Sequence, residues 1–123
     1  MRKPAPIPQP SVLERAAQLA DAGRLDEARR LLHDQIQRGA PRADHYHLLA
    51  VIEGARGREV ASGDALRRAL YLDPEHYPSL VQVALQADAR GDIDRAQRMR
   101  ANAERVRAAQ EAAGPDGREG GGR

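Results

Sequence analysis

Four histidines, His33, His45, His47 and His76, are the side chains of this 123-residue chain best suited to hold a metal ion or move a proton. Two of them fall in the run Asp44-His45-Tyr46-His47, its densest cluster of potential ligands. On a helix, residues two apart point about 200° from one another, so His45 and His47 cannot share one ion. They read as surface or groove histidines. There is no cysteine, hence no disulfide and no thiolate to act as nucleophile or ligand. No serine stands in a nucleophile-elbow turn, and no P-loop or dinucleotide-binding glycine loop is present. Gly120, Gly121 and Gly122 lie in a tail with no strand pattern before them. No catalytic site, cofactor or metal centre is expected.

Binding is the remaining kind of chemistry. Arg95, Arg98, Arg100, Arg105 and Arg107 follow one another closely, but Asp92, Asp94, Glu104 and Glu111 interleave with them. Interspersed signs make a solvated helix face. No aromatic platform accompanies the arginines for stacking on bases, so no nucleic acid is expected as partner. The net charge of +2 is close to balance. No apolar run approaches the roughly 20 residues that span a bilayer, so membrane insertion is not expected. Met1-Arg2-Lys3-Pro4 opens no apolar leader, and a cytoplasmic location is the expectation.

The elements that carry these residues repeat. Gly23, Gly57 and Gly91 stand 34 residues apart, and other columns share that period: Ala16, Ala50 and Ala84; Ala28, Ser62 and Ala96; Gln35, Ala69 and Ala103; Val12, Tyr46 and Leu80. Small residues at a fixed period mark close backbone contacts in successive copies of one unit. The chain has three tyrosines and neither Phe nor Trp. Its core must therefore consist of thin Ala and aliphatic layers between helices. Breakers and caps divide it into six helices of about 11–22, 25–38, 43–56, 59–72, 77–90 and 93 onward. Ser11-x-x-Glu14 is a capping box, and Asp92 or Asp94 caps the sixth helix. Ser62-Gly63-Asp64 should weaken the first turn of the fourth, leaving it firm only from Asp64. Asp73-Pro74 stops that helix. The sixth should extend toward residue 113, until Gly114-Pro115.

Each odd-numbered helix has two apolar stripes. One reads Val12, Arg15, Ala16, Leu19; then Tyr46, Leu49, Ala50, Glu53; then Leu80, Val83, Ala84, Ala87. It should pack on the partner helix. Glu53 interrupts it and is expected to loosen the second pair slightly. The other stripe should line the inner, concave wall of a stack. It supplies the candidate partner-binding groove: Leu13, Ala17, His47, Val51, Val81 and Leu85, with Asp88 at the rim. That lining suits the apolar face of an amphipathic helix from a protein or peptide partner. Self-association is a further possibility, through Met99, Ala103 and Val106 at the end of the array.

These columns resemble the tetratricopeptide repeat (TPR) family. Its helix-A small residue matches Ala16, Ala50 and Ala84, its helix-B small residue Ala28 and Ala96, its turn glycine Gly23, Gly57 and Gly91, and its closing proline Pro74. Ser62 departs from the pattern, as do the missing large aromatics of helix A. The resemblance implies an all-α fold, a right-handed superhelix of three antiparallel helix pairs with disordered termini. It divides the chain into a Pro-rich arm or linker (1–10), a TPR domain (11–113, with repeats of about 9–42, 43–76 and 77–110) and a Gly-rich tail (114–123). The run from Ala65 to Tyr77, followed by Arg90-Gly91-Asp92 and Ala96, is further similar to the TPR segment of CheR-type chemoreceptor methyltransferases of the Wsp kind. That resemblance implies a regulatory or targeting part of an S-adenosylmethionine-dependent protein-glutamate methyltransferase, with a chemoreceptor or the methyltransferase domain as partner. The alternative is a general scaffold or assembly protein with an unrelated partner.

Overall fold

The computed structural model describes residues 9–114. The rest of the Pro-rich arm and of the Gly-rich tail lies outside the described residues. Among those described, six α-helices and no strand occur: α1 (Val12–Asp21), α2 (Leu25–Gln37), α3 (Ala43–Ala55), α4 (Glu59–Leu72), α5 (Tyr77–Ala89) and α6 (Ile93–Ala112). The fold is all-α and repetitive. Helices α2, α4 and α6 begin 34 residues apart.

Local chemistry sets the boundaries. The Ser11 hydroxyl accepts from the Glu14 N–H at 3.1 Å, and the Glu14 carboxylate accepts from the Ser11 N–H at 2.8 Å. Asp92 caps α6 by accepting from the Arg95 N–H at 3.2 Å. The turn within each pair is the same turn three times. Gly23, Gly57 and Gly91 all have φ of +80°. The next residue's N–H reaches back over the turn, Arg24 to the Leu19 carbonyl, Arg58 to Glu53 and Asp92 to Ala87, at 2.8 to 2.9 Å. This Schellman closure needs a left-handed residue, which glycine supplies without steric cost.

Each helix packs on its pair partner, α2 packs on α3, α4 on α5, and α1 also touches α3. The chain thus zigzags between a layer of α1, α3 and α5 and a layer of α2, α4 and α6. The small-residue columns sit at the crossings. Ala16, Ala28, Ala50, Ala69 and Ala96 are fully buried, and Ala84 is 2% exposed. Around them form three core clusters. Ala16, Ala28, Leu32 and Ile52 tie the first pair to α3. Ala50, Ala65, Leu66 and Val83 tie the second pair to α5. Leu80, Ala103 and Val106 close the third pair.

Three expectations need correction. Helix α4 is regular from Glu59, because Ser62 is buried and satisfied: its hydroxyl donates to the Ala50 carbonyl at 2.7 Å and accepts from the Gln86 amide at 2.8 Å. Glu53 does not loosen the second pair. It is buried and ion-paired, with Arg29 at 2.9 Å and Arg56 at 2.7 Å, and so joins α2 to α3. Ala103 and Val106 do not form an exposed end patch. Both are buried, and partly buried Met99 packs beside them. Charged and polar residues do stand at the ends of the stack, at positions where the inner junctions have leucine and isoleucine. Leu32 and Leu66, buried at the inner junctions, correspond to exposed Arg100, and Ile36 and Leu70 correspond to exposed Glu104. At the other end, Leu49 and Ile52 correspond to exposed Arg15 and Gln18.

The turns supply a paired prediction. A Cβ on Gly57 would meet no atom within 4 Å, so Gly57→Ala pays only for left-handed backbone, about 1–2 kcal/mol. Ala40, by contrast, is a non-glycine residue at φ of +56°. Ala40→Gly should raise the thermal midpoint or leave it level, where Gly57→Ala lowers it by several degrees. Melting curves of the two variants check both signs.

Candidate partner-binding face

Two clefts open on the layer of α1, α3 and α5. The first, of about 290 Å³, runs between α3 and α5 over the start of α4; its walls include Val51, Gly54, Gln82, Leu85 and Gln86, with Glu59 at one end. The second, of about 510 Å³, lies between α5 and α6 and includes Tyr77, Val81, Leu85, Arg100 and Glu104. Leu85 stands between them. It is 54% exposed, and Val51 across the first cleft is 38% exposed. The absence of a side chain at Gly54 leaves the first cleft open toward the Ser62 hydroxyl, 3.6 Å from where a Cβ would stand.

The sequence-derived groove residues therefore separate into groups. Val51 and Leu85 face one cleft, and Val81 and Leu85 line the other. Asp88 is ion-paired with Arg100 at the edge of the second. Leu13 is partly buried and packs on the first core cluster, and neither it nor Ala17 lines either cleft. His47 is half-buried with its ring edge-on to His76, centroids 5.7 Å apart.

The histidines divide differently from expectation. His45 and His76 are buried, at 8% and 9% exposure, not surface or groove residues. His45 caps α3, its Nδ1 accepting from the Arg42 N–H at 2.9 Å. His76 is the middle of a chain that sequence reasoning missed. Its Nε2 lies 2.6 Å from Asp44 Oδ1 and its Nδ1 lies 2.8 Å from the Ser79 hydroxyl. The order Asp, His, Ser is that of a hydrolytic triad. Ser79, however, is fully buried, so its oxygen can reach no substrate. The chain is a structural link from the start of α3 to the start of α5. The 34-residue period places those two helix starts in corresponding positions, but it does not say that a ring bridges them. No group of three or more His, Cys, Asp or Glu side chains among the described residues is placed to hold a metal ion. No helix among them is long and apolar enough to cross a membrane.

Charge follows these contacts. The hydrogen bond from His76 holds the Asp44 carboxyl below the usual carboxylate range, against the opposing effect of partial burial. Burial pushes Glu53 up, but hydrogen bonds from Arg29 and Arg56 outweigh it and leave the group below its ordinary value. Burial, with the neighbouring His76 ring, holds His47 below the usual histidine value.

The chain is similar to part of two proteins, each described as a probable biofilm formation methyltransferase WspC. The protein of Pseudomonas aeruginosa is 37% identical over 89 residues, 72% of this chain and 21% of the relative. That of Pseudomonas putida is 32% identical over 90 residues, 73% of this chain and 21% of the relative. The chain thus spans about a fifth of the length of these curated relatives. No family model matches it. No solved structure matches it. By homology it is a helical region related to part of these methyltransferases.

The depressed pKa values of His47, Glu53 and Asp44 set the direction of pH dependence. A group with a lowered folded pKa stabilises fully above its unfolded value and loses that contribution as pH falls through the folded one. Stability should hold above about pH 6.5, decline first as His47 is driven to protonate, and decline again below about pH 4 as Glu53 and Asp44 do. His47→Gln should flatten the upper step. Glu53→Gln should cost about 1–3 kcal/mol at neutral pH, because it strips two guanidinium groups of their buried partner, and should shrink the acid step. Thermal midpoints between pH 3 and 8 test both.

Proposed function

We propose that this chain is a TPR-type interaction module working with a chemosensory protein-glutamate methyltransferase, and that it docks a helical segment of a partner on the face formed by α3 and α5. The observation that carries the reading is the pair Val51 and Leu85. Both are large, apolar and exposed, and they line one cleft whose floor is Ala50, Gly54 and Ser62. A water-exposed apolar pair in a cleft between two helices suits the i, i+3, i+4 side chains of an amphipathic helix. The relatives' description as methyltransferases supports the rest of the reading. The partner would then be a chemoreceptor or the methyltransferase domain, and the module would set where that enzyme works while contributing nothing to methyl transfer. Full enclosure of Ser79 supports a non-catalytic role.

Two measurements test this. Val51→Gln with Leu85→Gln should abolish capture of the methyltransferase domain or receptor cytoplasmic segment in a binding assay, while the thermal midpoint shifts by no more than a few degrees. Unfolding of the double variant would mean that the pair belongs to the core. Calorimetric titration of the chain with S-adenosylmethionine should give no heat of binding; micromolar affinity would show that the chain takes part in the chemistry after all.

A further inference from the structure

The layer of α1, α3 and α5 is poor in cations. Helices α3 and α5 contain no Arg or Lys, and their carboxylates are Asp44, Glu53 and Asp88. Helix α1 adds Glu14 and Asp21, and its one arginine, Arg15, lies in a hollow at the end of the stack beside Gln18 and Arg24. The other layer carries both signs: Arg29 and Arg30 with Asp26, Glu27 and Asp34 on α2, Arg67 and Arg68 with Glu59 and Asp64 on α4, and five arginines with Asp94, Glu104 and Glu111 on α6. Glu53 is turned inward and neutralised by its two arginines. What remains at the α3–α5 cleft is acidic. Glu59 is the one charged residue lining it, and it is exposed with no ion-pair partner among the described residues. Asp88, one turn of α5 beyond Leu85, lies outside this lining and is paired with Arg100. The remaining polar walls, Gln82, Gln86 and Ser62, are neutral.

We infer that the cleft selects a basic amphipathic helix of a partner protein, its apolar side chains resting on Val51 and Leu85 and a flanking Lys or Arg side chain meeting Glu59. The inference rests on the docking reading above and adds the sign of the ligand. An acidic helix in the same place would set its carboxylates against Glu59 with no cation lining the cleft to answer them. Exposed pairs of this kind add little affinity singly, but the match of sign decides between otherwise equal ligands and speeds their encounter.

The test uses two helical peptides with one leucine face in common, the first flanked by lysine and the second by glutamate at the same positions. Fluorescence anisotropy measures their binding to the full chain, to Glu59→Gln and to the Val51→Gln, Leu85→Gln double variant, each checked for helix content by circular dichroism. The lysine peptide should bind at least about tenfold more tightly than the glutamate peptide, and added salt should narrow the gap. Glu59→Gln should weaken the lysine peptide about two- to fivefold. The double variant should lose it. Equal binding of the two peptides, a preference for glutamate, or no response to Glu59→Gln would overturn the selection while leaving the docking reading intact, provided that the double variant still loses both. If neither peptide binds, or if binding survives the double variant, the docking reading falls and the selection falls with it.

Discussion

Everything in this fold depends on how closely its helices can approach. With no Phe or Trp, and with alanine at the crossings, the core gains its contacts through short distances between backbones rather than through large side chains. Ala16, Ala28, Ala50 and Ala96 have no solvent exposure, so a methylene added there would have to be accommodated inside the core. That closeness then constrains the turns. Two helices in near contact must be joined by a tight reversal, and the same glycine closure occurs three times because the same spacing has to be bridged three times.

Closely packed thin layers are apolar in general but not specific in register, and the two junctions between pairs each carry a polar device. At the first, Glu53 is clamped by Arg29 and Arg56, and Arg56 also reaches Asp26 at 3.0 Å. At the second, Gln86, Ser62 and the Ala50 carbonyl form one chain, and Ser79, His76 and Asp44 form another. No buried side-chain nitrogen or oxygen among the described residues is left without a partner. Satisfied polar networks of this kind hold a packing in place more than they strengthen it, since a slipped register would strand their members. They also make the junctions sensitive to protonation, which the apolar layers are not.

Much of this architecture was legible in the sequence. The period, the turn glycines, the capping box and the buried alanine columns could be read directly, because each depends on residue type at a fixed spacing. What could not be read was pairing across that period. Glu53 looks like a fault in an apolar stripe until Arg29, on another helix, is known to reach it. Ser62 looks like a weak helix former until the Ala50 carbonyl is found within its reach. Asp44 and His76 sit in unlike local sequences and meet only because two helix starts are neighbours. The clefts were half legible: the stripe named Val51, Val81 and Leu85, but the packing of Leu13 depended on how far α1 leans on α3, which no periodicity fixes.

The charged residues at the ends of the stack bear on how copies of this chain meet at high concentration. A repeat stack has two unlike end faces, and if they matched, each molecule would cap the next in a head-to-tail contact that never closes. Such contacts build filaments. Here that joint would bury Arg100 and Glu104 of one molecule against Arg15 and Gln18 of another, at the positions where an inner junction buries leucine and isoleucine. Desolvating those charges costs several kcal/mol per ion unless they are well paired. A stack continued from one molecule to the next would have to pair these charges before it could form.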